Sequence, residues 1–377
     1  MKIGIDISQI VYEGTGVARF TSGLIDSILD YDNDNHWTFF FSSLRQNLDP
    51  LLEEKIRNKK FSLIKWKIPP TILSLLWNDF HTFSRSYMLH VTSFNDLDWF
   101  ITSDWTEPPS QKIKKAAVVH DLVYLRYPEM VDKKIRDTQQ KRLNWVKKES
   151  EIIFADSKTT KNDLVELLHV DAKKIYVNYP GVDITKPSEE KIKRTLKKHD
   201  LDKPFILTVG KLEPRKNIKK LIEAFIKTRS NKIDLVIVGP RGWENLEQFN
   251  NETVKQSNVK FLGFVPDSDL FALYSSCLFF IFPSLWEGFG YPVVEAMKLG
   301  TPVATSNTSS LKEIGENAAL LFDPHNLDEI THSINTLIQN KKLRDELSKK
   351  GLERSKLFTW KNYYRILIKV LRSQTNH

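Results

Sequence analysis

Cysteine is almost missing: one thiol, Cys277, stands among 377 residues. A single thiol cannot close an intrachain disulfide, so a disulfide-stapled secreted scaffold is excluded and a reducing compartment is expected. Cys277 lies within the apolar run "LYSSCLFFIF" and reads as a structural thiol rather than a nucleophile. Long hydrophobic runs are missing too. No stretch reaches the roughly 18 apolar residues of a membrane span. The opening "MKIGIDISQIV" lacks the apolar length of a signal peptide, so a cytoplasmic protein is expected. Gly and Pro are ordinary in number, at 14 and 16. No low-complexity tract or internal repeat occurs, which excludes fibrous and solenoid designs. No Cys/His cluster offers a zinc site. The acidic triplets Asp32–Asp34, Asp96–Asp98 and Asp267–Asp269 read as turns, and no bound metal is expected.

Charge, by contrast, is plentiful and uneven. The formal net charge is +9. Residues 1–185 are close to balanced, whereas 341–372 hold 11 Lys or Arg against 3 Asp or Glu. Such a patch is either a solvated helix face or a contact for an anionic surface. Phe358, Trp360, Tyr363 and Tyr364 are interspersed with these charges. They suit peripheral membrane contact, or a last helix packed back on the protein.

A chain of this length exceeds one hydrophobic core, so two domains are expected. "KIGIDISQI" is an apolar strand, followed by a loop with Gly14 and Gly16 and then a helical apolar period at Val17, Phe20, Leu24 and Ile28. "HWTFFFSS", "FSLIKWKI", "WFITS", "KAAVVHD" and "EIIFADS" continue the series, with Ser157 as a helix N-cap. "PPTILSLLWNDFHTFSRSYM" reads as helical. After a charged, proline-marked connection, strands "FILTVG", "DLVIVGP", "VKFLGFV", "LFFIFPS" and "TPVATSN" alternate with helices. This pattern predicts two α/β domains with parallel sheets, joined near residue 185. Ligands are expected in a cleft at the carboxyl ends of the strands.

Two stretches carry chemistry. In "PSLWEGFGYPVVEAM", Gly288 and Gly290 permit a close backbone approach, and Pro292 suits the start of a helix whose free amides attract an anion. Glu287 and Glu295 place carboxylates on each side of that turn, and carboxylates accept hydrogen bonds from sugar hydroxyls. A phosphate and a sugar together satisfy this layout; so does an ordinary strand–turn–helix with a capping Glu. In "VGKLEPRKNIKK", Lys211, Arg215 and Lys216 crowd a loop before a helix, with Asn217 as its N-cap. Cations are disfavoured at a helix start, so a diphosphate, or plain solvation, must account for them.

With E-x7-E in "EGFGYPVVEAM", the chain resembles the retaining family-4 glycosyltransferases, whose fold is the two-domain GT-B type. The resemblance extends to "GTGVARF", "VVHDLVYLRYPE", "VGKLEPRKN", "FLGFVPDSDLFALYSSC" and "GTPVATSNTSSLKEI". The wording is most similar to the bacterial O-antigen and exopolysaccharide branch, which includes many mannosyltransferases. The resemblance implies an acceptor-binding Rossmann-like domain over 1–184, a nucleotide-sugar-binding domain over 185–358, and a C-terminal helix, 359–377, packing back on the first domain. Gly14 and Gly16 would face the donor diphosphate or the acceptor, and His120 would donate a hydrogen bond to a sugar hydroxyl. Arg215 and Lys216, helped by Gly210 and Lys211, would contact the phosphates. Glu287, with Gly288 and the amides of Phe289 and Gly290, would hold the transferred sugar. Glu295 would bind the ribose, and Val265 would lie near the base.

The implied reaction moves a hexose, with mannose from GDP-mannose favoured, to a glycan or polyprenyl-linked glycan. No cofactor beyond the donor substrate is expected, and the inner face of the cytoplasmic membrane is a candidate location. UDP- or dTDP-sugars, or an inactive scaffold, are the alternatives. Lys211 stands where many members have Arg, which keeps the charge but loses the bidentate fork. A dinucleotide oxidoreductase is disfavoured because "YEGTGVARF" is not G-x-G-x-x-G. A nucleic-acid partner leaves the paired glutamates unexplained.

Overall fold

The computed structural model describes residues 1–12, 14–81, 94, 96–109, 113–240, 242 and 258–375. The chain forms two compact units: Met1–Gly181 together with Thr359–His377, and Val182–Phe358. Each is built around a wholly parallel sheet with both faces covered, which is why its strands read as continuous apolar runs.

In the first unit the strands are β1 (Lys2–Asp6), β2 (His36–Ser42), β3 (Ser62–Trp66), β4 (Trp99–Ser103), β5 (Lys114–Val119), β6 (Ile152–Ala155) and β7 (Ile175–Val177). Their order is β3-β2-β1-β4-β5-β6-β7. The chain starts in the middle, winds to one edge, and returns to lay β4 on the other side of β1. Strand order therefore reverses between β1 and β4, the place where open α/β sheets bind ligands. Helix α1 (Gly16–Tyr31) follows Gly14; Thr15 is its N-cap, accepting the Ala18 amide at 3.2 Å, and Phe20, Leu24 and Ile28 face the core. Ser157 caps its helix as expected, accepting from the Thr160 amide at 3.0 Å. The aromatic segment after β3 forms one helical turn, Pro70–Ser74, running into a π-turn, Leu75–Asp79. It buries Leu73 and Trp77 against Phe40, Phe94 and Phe100. The rest of the predicted helix, 82–88, lies outside the described residues.

The second unit holds β8 (Phe205–Val209), β9 (Asp234–Val238), β10 (Val259–Gly263), β11 (Phe279–Phe282), β12 (Val303–Ser306) and β13 (Leu320–Phe322). The order β10-β9-β8-β11-β12-β13 repeats the plan, with the reversal between β8 and β11. Helices Ile218–Lys227 and Leu327–Gln339 bury Leu221, Ile222, Phe225, Ile330, Ile334 and Leu337 against this sheet. The triplet Asp267–Asp269 opens a helix, Asp267–Ser276, instead of forming a turn. Asp269 is held by Lys191 and Lys198 from the helix Glu189–Lys198. Cys277 ends the helix Asp267–Ser276, its Sγ 3.3 Å from the Tyr274 carbonyl, and burial pushes its thiol up, out of the range of a nucleophile.

The last helix, Trp360–Thr375, belongs to the first unit. It buries Trp360, Tyr363, Leu367 and Leu371, and Trp360 and Tyr363 each meet the Phe20 ring at 5.5 Å. Gly23 makes this approach possible: a Cβ there would lie 2.0 Å from the Trp360 ring. Phe358 is buried in the second unit against Phe289, at 5.6 Å. Three of the four aromatics proposed as membrane anchors are therefore packed inside the protein. Among the described residues, no helix is long and apolar enough to cross a membrane.

Candidate active site

In the second unit, the loops after β8 and β11 leave neighbouring strands at the strand-order reversal. After β8, Gly210 and Lys211 lead into a 3-10 turn, Pro214–Lys216, which ends in Asn217 with φ +58°. Asn217 occupies the N-cap position of the next helix without capping it. Its side-chain amide instead donates to the carbonyls of Pro283 and Pro324, at 3.2 and 2.8 Å, and so ties this loop to two others. The left-handed residue turns the chain so that Arg215 and Lys216 point back towards the loop after β11.

There they meet Glu287. Lys216 Nζ lies 2.6 Å from Glu287 Oε1, and Arg215 Nη1 lies 2.7 Å from Oε2. Ser284 Oγ adds a hydrogen bond to Oε1 at 2.5 Å, and Arg215 also donates to the Trp286 carbonyl at 2.7 Å. Glu213 lies 3.3 Å from Lys211 and 3.8 Å from Arg215. The Lys216 ammonium stands 5.0 Å above the Phe282 ring, a cation–π contact at the end of β11.

Burial pushes the Glu287 carboxyl up, but the adjoining Arg215 and Lys216 charges outweigh it and hold the group at about 2. Burial lowers Lys216; Glu287 opposes this and Arg215 adds to it, leaving the ammonium below its ordinary range. Two cations act on the one Glu287 carboxylate, whereas Lys216 is lowered chiefly by burial, with Arg215 adding to it. A further anion here would relieve the excess positive charge.

The glycine loop then enters the helix Tyr291–Lys298. Pro292 is its second residue rather than its first, and Gly290, at φ +101°, takes the N-cap position. Ser310 Oγ donates to the carbonyls of Glu287 and Phe289, both at 2.9 Å, and Ser309 Oγ accepts the Glu287 amide at 3.1 Å. These bonds fix the loop from the following helix. Glu295 stands in the second turn, 3% exposed, and accepts from the Tyr274 hydroxyl at 3.2 Å. Val265 is buried between β10 and the helix at Asp267. Gly210, Lys211, Arg215, Lys216, Glu287, Gly288, Phe289, Gly290, Glu295 and Val265 thus all belong to this unit.

Gly14, Gly16 and His120 belong to the first unit. Gly14 has φ +76°, and Gly16 is the first residue of α1. His120 directly follows β5, and its Nδ1 lies 2.7 Å from Asp156 Oδ2, directly after β6. Burial lowers the imidazole, but the Asp156 carboxylate beside it outweighs this and raises it above its ordinary value. Asp104, which follows β4, and Asp156 were not singled out from the sequence. Each is the first acid after an apolar strand, the position that marked His120. Ser284 and Tyr274 had no sequence signal: a hydroxyl that orients a carboxylate is one polar residue among many.

A family model described as "Glycosyl transferases group 1" matches residues 189–354. The chain is 31% identical over 263 residues to the O-antigen chain mannosyltransferase B of Escherichia coli, covering 67% of this chain and 69% of that protein. It is 30% identical over 262 residues to the serotype-specific mannosyltransferase WbdA of Escherichia coli, covering 66% of this chain but 32% of that longer protein. The fold resembles that of HepE from Anabaena in complex with UDP and glucose, at a TM-score of 0.71 and 19% identity, covering 99% of this chain and 100% of that one. WaaG, a glycosyltransferase involved in lipopolysaccharide biosynthesis, superposes at a TM-score of 0.72 with 12% identity over 98% of this chain and 99% of that one.

Proposed function

The chain belongs to the glycosyl transferases of group 1 and has the GT-B fold, and on that premise we propose that it moves mannose from GDP-mannose to a growing surface glycan with retention of anomeric configuration. The ion triad of Arg215, Lys216 and Glu287 at the β8/β11 reversal carries this reading. Breaking the glycosyl–phosphate bond builds charge on the departing diphosphate, and preorganised donors aimed at that charge contribute the largest share of catalysis. Lys216, Arg215 and the amides at the start of Tyr291–Lys298 take that role, with no metal called upon. On diphosphate binding the two cations turn from Glu287 to the phosphates, and the freed carboxylate accepts sugar hydroxyls. Glu295 holds the ribose.

Neither glutamate is left over as a second nucleophile, so the acceptor attacks from the face that the diphosphate leaves. The leaving phosphate takes the acceptor proton. The mannosyltransferase relatives support mannose, and the O-antigen in the name of mannosyltransferase B supports a lipid-linked glycan acceptor. Contact with an anionic membrane would use exposed lysines of the helix Lys341–Ser355, such as Lys349 and Lys350, since Trp360 and Tyr363 are buried. Sedimentation with phosphatidylglycerol vesicles at low and high salt tests that contact.

The donor site is tested by thermal shift with UDP, GDP, dTDP and ADP on the wild type and on Glu295→Ala. A nucleotide at 100 times its dissociation constant adds about 2.7 kcal/mol of stability. Stabilisation by GDP, lost in the variant, is the expected result. Stabilisation by UDP or dTDP alone would replace the donor assignment, and silence from all four would reject the site.

A further inference from the structure

The helices Asp267–Ser276 and Tyr291–Lys298 of the second unit are clasped at two points. Thr301 forms one: its Oγ1 donates to the Tyr274 carbonyl at 2.7 Å, and its amide donates to the Ala296 carbonyl at 2.9 Å. Tyr274 forms the other, its hydroxyl donating to Glu295 Oε2 at 3.2 Å. Tyr274 is fully buried, and Glu295 is nearly so. The phenol ring meets the Phe280 ring of β11 edge-on at 5.2 Å. Packing thus fixes the ring while Thr301 fixes the backbone. The hydroxyl stands at a set place, and the Glu295 carboxylate comes to it.

A glutamate's last torsion is broad, so burial alone does not choose the plane of its carboxylate. A hydrogen bond to one oxygen does. The carboxylate has about four lone-pair sites, of which a single hydroxyl takes one and adds no charge. Glu287 is held differently: Lys216 and Ser284 bind its Oε1 and Arg215 binds its Oε2, so that two of these three donors are cations. Cations neutralise an anion. A phenol at 3.2 Å, beyond the about 2.5–2.7 Å of a usual hydroxyl–carboxylate bond, only aims it. Two neighbouring hydroxyls on one rigid ring, as in ribose, need that aim, because they donate to both oxygens together when the carboxylate plane is set beforehand.

We infer that Tyr274 is the positioning residue for Glu295, and that its hydroxyl sets how strongly the site prefers a ribonucleotide to one lacking the 2′ and 3′ hydroxyls. This inference rests on the reading of Glu295 as the ribose ligand, and Tyr274 acts through that carboxylate without touching the nucleotide. A buried phenol that merely finds an acceptor in Glu295 makes the same bond but confers no such preference.

The test is titration calorimetry of the full chain with GDP and UDP, each beside its 2′,3′-dideoxy counterpart. Tyr274→Phe keeps the ring and removes the hydroxyl. The wild type is expected to bind its ribonucleotide at least about tenfold more tightly than the dideoxy form, the scale of a hydrogen bond to a charged group. In Tyr274→Phe that ratio should fall below about threefold, through weaker binding of the ribonucleotide alone. On a Glu295→Ala background, Tyr274→Phe should change neither affinity further, as expected for two residues acting as one. Equal weakening of both nucleotides, or an unchanged ratio, makes the phenol a packing residue and overturns the inference, while the wild-type preference keeps the donor site. A wild type that binds neither ribonucleotide, or binds them no better than the dideoxy forms, rejects the ribose reading of Glu295 and the inference with it. A crystal structure of the wild-type chain with GDP decides even if the variant does not fold. Tyr274 should still donate to Glu295 while the ribose hydroxyls sit on the same carboxylate, and a phenol turned away from it overturns the inference.

Discussion

Lys216 Nζ lies 2.6 Å from Glu287 Oε1, a contact that joins the loops after two neighbouring strands. Because Arg215 binds the other carboxylate oxygen, Glu287 is the carboxylate nearest to two largely buried cations, with Glu213 farther off at 3.8 Å from Arg215. Glu287→Ala removes the carboxylate in direct contact with both, leaving Glu213 as the more distant anion of Arg215. Removing one partner of a buried ion pair costs about 3–5 kcal/mol, and removing a group that organises transition-state donors costs roughly 100-fold in turnover. Urea unfolding and steady-state kinetics should show both losses. A stable variant with a near-normal rate would reject the triad as the reaction centre.

The same triad sets an acid limit. Glu287 titrates at about 2 in the folded chain against an ordinary 4.5. Between about pH 5 and pH 2 the unfolded chain binds more protons at this site, so stability rises with pH and the contribution is complete above about pH 5. Its size is about 3 kcal/mol, from 1.36 kcal/mol per pKa unit. Unfolding free energies measured from pH 6 down to pH 3 should fall less steeply in Glu287→Gln than in the wild type. Equal slopes would place the loss elsewhere, with Glu149 the next candidate: burial raises it, but His81 and Lys115 hold it at about 2.

Much of this arrangement was legible in the sequence because parallel sheets are written as apolar runs and because function gathers just past strand ends. "FILTVG" and "LFFIFPS" announced β8 and β11, and the cations and glutamates after them were read as one site. Asn217 shows where such reading stops. Its N-cap position was predicted, yet its φ and its bonds to Pro283 and Pro324 depend on loops 66 and 107 residues away. Asp267–Asp269 read as a turn because Asp269 is neutralised by Lys191 and Lys198, partners more than 70 residues distant. The ion triad itself was invisible for the same reason. Arg215, Lys216 and Glu287 were each assigned to ligand, and nothing local in the chain says that they bind one another first.

Gly290 tests the loop geometry. Its φ of +101° is strained for any residue with a side chain, and a Cβ would also lie 2.7 Å from Leu311 Cδ2. Gly290→Ala is expected to cost about 1–3 kcal/mol in strain alone, with a further loss from the contact. Adding Leu311→Ala removes the contact but not the strain, apart from its own cavity cost. Nucleotide affinity should stay low in the double variant even if the overlap is relieved. A Gly290→Ala chain with wild-type stability and GDP affinity would show that the loop tolerates another path.

The last helix offers a decision between packing and membrane binding. Trp360 fills the space over Gly23 and Gly181, where a Cβ on either glycine would fall within about 2.2 Å of it, and meets Phe20 and Tyr363 edge-on. A buried Trp replaced by Ala leaves a cavity that costs about 3–5 kcal/mol. If the helix serves only to complete the first unit, Trp360→Ala should lower unfolding stability by that amount and leave sedimentation with anionic vesicles unchanged. A membrane role for this side chain predicts the reverse: vesicle binding is lost while stability is preserved. A ring 7% exposed, with glycines cleared beneath it, is built for the first outcome. Any vesicle binding would then come from exposed basic side chains, such as Lys349 and Lys350 of the preceding helix or Lys361 and Lys369 of this one, and should vanish at high salt, since surface charges are screened over about 8 Å at physiological ionic strength and less above it.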